Sequence, residues 1–128
     1  MITATTHGIK VSVETRFQPE YSSPSQEHFV FSYHIKIENK SNFTFKLLRR
    51  HWYITDLTSQ TREVEGEGVV GVQPTLEPEQ AYNYTSACNL SSSIGKMNGT
   101  YQMERIMDGK IFEVEIPDFT LIVPHLLN

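Results

Sequence analysis

Three glycines and a short basic run are the residues best suited to chemistry. Gly66, Gly68 and Gly71 lie in "EVEGEGVVGVQP" with G-x-G-x-x-G spacing. Dinucleotide-binding proteins use that spacing to bring backbone close to a pyrophosphate. Such a site needs a helix opening directly after the motif, inside a βαβ unit. Pro74 and Pro78 follow instead, and they leave no room for that helix. A glycine-rich turn can still gather backbone N–H groups into an anion nest without one. Just upstream, Arg49, Arg50 and His51 form a compact basic cluster, and a guanidinium fork suits a phosphate or an acidic partner. These six residues are the candidate ligand-binding set, with a phosphate, nucleotide or pyrophosphate as the ligand. Glu63, Glu65 and Glu67 would repel a polyphosphate unless a cation such as Mg²⁺ intervened; no other cofactor is indicated.

A structural account competes with that chemistry and is the simpler one. Glycines on one face of an extended segment permit a bulge, or close contact with a bulky neighbour such as Trp52. Charge runs are commonly solvated, and this basic cluster has Asp56 and the Glu63–Glu67 run as salt-bridge partners within reach.

Other catalytic constellations are missing. Histidines at 7, 28, 34, 51 and 125 show no H-x-H or H-E-x-x-H spacing, so no metal site is assigned. Cys88, the single cysteine, has no adjacent base to activate it, and no disulfide can form within the chain. Neither a nucleophile elbow nor a paired-carboxylate or Walker signature is present. A metal-linked hydrolase ranks last among the functions considered, and no enzymatic activity is expected.

The elements that must position these residues are strands. The dominant hydrophobic period is two. Ile9, Val11 and Val13 alternate with polar neighbours, as do Phe29, Phe31, Tyr33, Ile35 and Ile37, the pattern of half-buried antiparallel strands. In "NFTFKLLRRHWYITD" the apolar phase moves from Phe43, Phe45 and Leu47 to Trp52 and Ile54. A strand changes face only by gaining a residue, so a bulge or kink is expected between Leu48 and His51. "DLTSQTREVEG" reads as a turn and a short strand around Val64, and Ala81–Ser86 as a further strand. Asp108-Gly109 signals a two-residue hairpin. It would place Arg105 opposite Phe112, Met103 opposite Val114 and Tyr101 opposite Ile116. "DFTLIVP" reads as a separate last strand. About seven to nine antiparallel strands with frequent turns predict an all-β sandwich of immunoglobulin or fibronectin-III type.

The 128 residues suit a single domain, 1–128, able to bury a core unaided. A net charge of −4 makes nucleic acid an unfavoured partner. No apolar run could serve as a signal peptide or cross a membrane. The expected location is therefore the cytoplasm, without membrane insertion, and the N-x-S/T triplets read as chance.

"RHWYITD", "EVEGEGVVGVQP", "YTSACNLSS", "GTYQM" and "FEVEIPDFTLIVP" occur in the order seen in ApaG proteins. The chain resembles that family over nearly its whole length. The resemblance implies a fibronectin-III-like sandwich and a small non-enzymatic interaction domain. Bacterial members are linked to cobalt and magnesium resistance or efflux, while ApaG-like domains in eukaryotic F-box and polymerase-interacting proteins imply a protein partner. The family's G-x-G-x-x-G, discussed as a pyrophosphate motif, carries over onto Gly66, Gly68 and Gly71. Val72-Gln73 departs from the "GEQP" that members often show there.

Overall fold

The computed structural model describes residues 1–56 and 60–124. Nine strands follow in chain order: β1 (Ile2–Thr6), β2 (Ile9–Phe17), β3 (Phe29–Asn39), β4 (Phe45–Asp56), β5 (Thr61–Glu67), β6 (Thr75–Leu76), β7 (Ala81–Leu90), β8 (Ile94–Arg105) and β9 (Lys110–Ile122). Sheet one has the order β1-β2-β3-β7; sheet two runs β5-β4-β8-β9, with β6 paired to the start of β4. Every pairing is antiparallel. The two sheets make the β-sandwich that the period of two predicts.

Period-two patterning decides which face is buried. Phe29, Phe31, Tyr33, Ile35 and Ile37 all point into the core, with Ile9, Val11 and Val13 beside them. From sheet two come Phe45, Leu47, Trp52, Ile54, Tyr101, Met103, Val114 and Ile116. The centre is aromatic. Trp52 meets Tyr33 at 5.4 Å and Phe119 edge-on at 5.9 Å between ring centroids. Such pairs add stabilisation of about 0.5–1.5 kcal/mol each beyond area burial. The hydroxyls of Tyr84 on β7 and Tyr101 on β8 hydrogen-bond across the sandwich, and burial raises the pKa of both.

Asn39 is a buried polar anchor at the end of β3. Its Nδ2 donates to the carbonyls of Phe43 (2.7 Å) and Leu76 (2.9 Å). Its Oδ1 accepts from the Ser41 amide (3.0 Å) and hydroxyl (2.6 Å). The crossover from sheet one to sheet two is thereby fixed with every polar atom satisfied.

The change of phase in β4 is a bulge. Its register against β8 shifts between Leu47 and Arg49, so Leu48 is the extra residue, at the N-terminal limit of the expected range. Phe43 lies outside the strand and is exposed.

The hairpin register differs from the expected one. Arg105 pairs with Lys110, Met103 with Phe112 and Tyr101 with Val114, across a four-residue loop rather than a two-residue turn. Asp108 does not take the positive φ that a type I′ turn needs; in this loop only Gly109 does, at 69°. Asp108 instead accepts from Arg105 Nε (3.1 Å) and Nη2 (2.6 Å) and from the Lys110 amide (3.2 Å). These bonds, that to Arg105 foremost, pull its carboxyl down to a pKa of about 2. Because the slip is two residues, an even number, the faces are unchanged: Met103, Tyr101, Val114 and Ile116 remain buried. The expected last strand is the continuation of β9. A second register shift, between Met97 and Gly99 of β8, lets β9 pass through Pro117 with one extra residue, and bulges are where strands tolerate proline.

Two-residue turns with positive φ at both positions occur elsewhere. His7 (51°) and Gly8 (79°) join β1, which the sequence reading did not anticipate, to β2. Val70 (47°) and Gly71 (81°) close a small turn bridged by Val69 and Val72. The turn expected after Asp56 and the residue His125 fall largely or wholly outside the described residues.

Candidate functional site

The bulge in β4 organises the glycine stretch. Arg49, Arg50 and His51 pair with Glu67, Gly66 and Glu65 of β5. The Leu48 carbonyl, turned out of the ladder at the bulge, accepts the Gly68 amide (2.8 Å) and the Gln73 side-chain amide (2.9 Å). The six sequence-selected residues therefore share one region of sheet two. Alternation then divides them between its two faces.

Arg50 lies on the inner face, beside Trp52. A Cβ at Gly66 would sit 2.9 Å from both Nη1 and Nη2 of Arg50, so the bulky neighbour of the glycine is an arginine and not Trp52. Arg50 Nη1 donates to the carbonyls of Glu67 (3.0 Å) and Gly68 (3.1 Å). The guanidinium thus meets carbonyl oxygens of the glycine stretch rather than its N–H groups. Gly68 has φ of 62°, and a Cβ there would collide with the Val72 carbonyl oxygen. The Val69 and Val72 amides bond to each other's carbonyls at 2.8 and 3.0 Å.

Arg49 and His51 lie on the outer face. His51 Nδ1 is 3.0 Å from Glu65 and Nε2 is 3.3 Å from Glu63, and the ring stacks on Tyr53 at 4.5 Å. Both arginines and His51, together with Glu65, Thr100, Gln102 and Glu113, line a shallow cavity of about 130 Å³. Carboxylates on β5 and β9 give this outer face a mixed character. Among the described residues, no group of three or more His, Cys, Asp or Glu side chains is arranged to hold a metal ion.

A second region was not singled out by residue chemistry. It lies where the edges β5 and β7 approach each other on one side of the sandwich. β7, "AYNYTSACNL", has ten residues with no charge, proline or glycine. Its register against β3 is unbroken from Leu90 to Ala81. Edge strands are ordinarily protected by charge, proline, a bulge or shortness, and β7 carries none of these. Asn39 N–H donates to the Gln80 carbonyl at the start of the ladder. Antiparallel alternation then turns the N–H and C=O groups of Asn83, Thr85, Ala87 and Asn89 away from β3.

β5 is exposed on both faces: of its residues only Gly66 is even half-buried. Its inner-face residues are Arg62, Val64 and Gly66, and Val64 is 38% exposed although it points to the core side. Sheet one stops at β7, leaving this inner face without a strand stacked upon it. Arg62 reaches across, and its Nη2 donates to the Asn89 carbonyl (2.5 Å) and approaches Cys88 Sγ (3.5 Å). The groove holds about 330 Å³ and is lined by Arg50, Trp52, Arg62, Val64, Tyr33 and Cys88, among others. Burial raises the Cys88 thiol pKa, against the opposing pull of Arg62, which disfavours the thiolate that a nucleophile needs. The uncharged run Ala81–Leu90 and the alternation of Arg62 with Val64 become signals for this groove only once the topology makes β5 and β7 edges.

The fold and this edge arrangement define an antiparallel β-sandwich with one open side. The ApaG domain family matches residues 19–105, and this chain belongs to the ApaG family. It is 47% identical to Protein ApaG of Paramagnetospirillum magneticum over 125 residues, covering 98% of this chain and 95% of that protein. It is 52% identical to Protein ApaG of Acidithiobacillus ferrooxidans over 114 residues, covering 88% of each. Among solved structures, the putative ApaA protein from Bordetella pertussis superposes with a TM-score of 0.88 at 41% identity, over 97% of this chain and 98% of that one. Among the described residues no helix is long and apolar enough to cross a membrane.

Proposed function

We propose that this ApaG-family protein is a non-enzymatic, cytoplasmic binding module that takes an extended segment of a protein partner as an added strand on β7. Its association with cobalt and magnesium resistance, which the family resemblance suggests, is then exerted through that partner. One observation carries this reading: an unprotected ten-residue edge, β7, borders an uncovered inner face on β5. A strand added to β7 gains main-chain hydrogen bonds from the outward groups of Asn83, Thr85 and Ala87, and its alternate side chains cover β5.

Phosphate or nucleotide capture by Gly66, Gly68, Gly71, Arg49, Arg50 and His51, with Mg²⁺ against the carboxylates, is the second reading. It asks more of the molecule. Arg50 would have to leave two carbonyls, and the Gly68 amide would have to leave Leu48.

The test is made in the native host lacking the gene. A photo-crosslinking residue at Ala87 should trap one protein, and the same residue at Glu113 should not. Ala87→Pro removes an outward N–H, and Ala87→Lys charges the edge. Both variants should keep the thermal melt of the parent, lose the cross-linked partner and fail to restore cobalt tolerance. Full complementation by both folded variants would sink the proposal.

A further inference from the structure

The groove beside β7 also selects what the added strand must carry. Arg62, Val64 and Gly66 occupy alternate positions of β5 and share its inner face. The Gly66 position is filled by the guanidinium of Arg50. From one end to the other, the uncovered face therefore reads cation, apolar, cation, over a rise of about 13 Å at ~3.3 Å per residue. Neither arginine is ion-paired to a carboxylate among the described residues: Arg50 bonds to the Glu67 and Gly68 carbonyls, and Arg62 to Asn89 and Cys88. Two guanidinium groups with no carboxylate in ion-pairing distance among the described residues, in a chain of net charge −4, make the lining of this groove cationic, with Glu27 and Asp56 lining a neighbouring cavity on the other side of Arg62.

We infer that the partner segment is an extended acidic peptide of the pattern acid-x-apolar-x-acid. Its apolar side chain would pack on Val64 and Trp52, and its two carboxylates would meet Arg50 and Arg62. This rests on strand addition at β7 and goes further, naming the chemistry of the strand. The spacing follows from geometry. Side chains at i, i+2 and i+4 of a strand in sheet one point into the sandwich, and the facing residues of β5 repeat with the same period. Covered by the added strand, both pairs attract in a lower effective dielectric, offset in part by the cost of desolvating the charges. Arg62 gives up the Asn89 carbonyl to the incoming backbone and gains a carboxylate. The Arg50 bonds to Glu67 and Gly68 use Nη1, leaving Nη2 to turn to the ligand.

The probes are two synthetic nine-residue peptides, fluorescein-labelled, with centres Glu-Thr-Val-Thr-Glu and Gln-Thr-Val-Thr-Gln. Binding is read by anisotropy at low and high salt, and position by amide NMR of the whole protein. The glutamate peptide should bind at least tenfold more tightly than its glutamine twin at low salt. Its shifts should be concentrated in Asn83–Asn89 and Arg62–Gly66. Arg62→Gln, at an exposed side chain, should erase most of the preference while leaving the melt unchanged. Equal binding of the two peptides with shifts along β7 would overturn the acidic pattern and leave strand addition standing. Preference for glutamate with shifts confined to Lys10, Lys36 and Lys40 would overturn it as ordinary surface attraction. Binding of neither peptide at millimolar concentration would overturn it as well. Strand addition itself is judged separately, by the Ala87 variants in the native host.

Discussion

The two sides of this sandwich are closed in different ways. On one side β1 packs beside β9, and Thr6 Oγ1 accepts the Glu115 amide at 3.1 Å. That bond satisfies one outward amide of β9 and ties the edge of one sheet to the edge of the other, and β1 is only five residues long, short for a template. On the opposite side the contact between β5 and β7 is carried by a long side chain: Arg62 crosses the gap to the Asn89 carbonyl. A short threonine on a paired strand holds its partner with little entropy to lose, whereas an exposed arginine gives up about 2 kcal/mol of rotamer freedom when fixed. The threonine side is the tighter seam. The arginine side can be opened at low cost by anything that offers the guanidinium a better acceptor.

The comparison breaks most completely where both sides share a support. Asn39 ties the crossover between the sheets through four hydrogen bonds. Asn39→Ala strands the buried Leu76 carbonyl and the Ser41 amide, while the Phe43 carbonyl keeps the Ser41 hydroxyl at 3.1 Å; each buried unsatisfied group costs about 1–3 kcal/mol. The expected loss is about 3 kcal/mol in urea unfolding, with hydrogen exchange accelerating on both sides together. Acceleration on the open side alone would mean that Asn39 is not a shared frame.

A smaller change should separate the two sides. Thr6→Val keeps the shape of the side chain and removes the acceptor for Glu115 N–H. The expected cost is about 1 kcal/mol, close to the usual net worth of one hydrogen bond. Exchange at the Glu115 amide should rise by about fivefold, with the Ala81–Asn89 amides unmoved. If the β7 amides respond equally, the two sides are coupled and the seam is not local.

How much of this was legible in the sequence depends on range. Alternation in β2, β3 and the second half of β8 is a local property, and it placed the core residues of those segments correctly, whereas the stretch 94–99, rich in small and turn-forming residues, is strand although its composition suits a loop. The bulge in β4 was also local, because a change of apolar phase has only one cheap explanation. The hairpin at Asp108-Gly109 was misplaced because the side chain of Asp108 found Arg105, a preference that outweighed the turn propensity of the pair. The basic run is divided for a simpler reason: consecutive residues of a strand face opposite ways, so the Arg49 and Arg50 side chains leave the sheet on opposite faces. The groove was hidden because it depends on which strands become edges. Ala81–Leu90 looks unremarkable until the topology leaves one of its sides unpaired.

The finest distinction between the two sides lies in their turns. His7-Gly8 on the closed side and Val70-Gly71 near the open side use the same backbone geometry. A β-branched residue at φ 47° is a genuine outlier, and strain of this kind costs of order 1 kcal/mol. Val70 is 62% exposed, so little packing offsets it. Val70→Asn substitutes a residue that tolerates the left-handed region, and should raise stability by about 0.5–1 kcal/mol, a gain of about 2–4 °C in Tm. Packing alone would predict no gain, or a slight loss, from replacing valine with a polar residue. A rise in Tm would therefore show that the chain retains a strained valine beside the bulge and Arg50. If affinity for the acidic peptide falls as Tm rises, the exposed valine belongs to the binding surface. If affinity holds, the strain is unrelated to the groove.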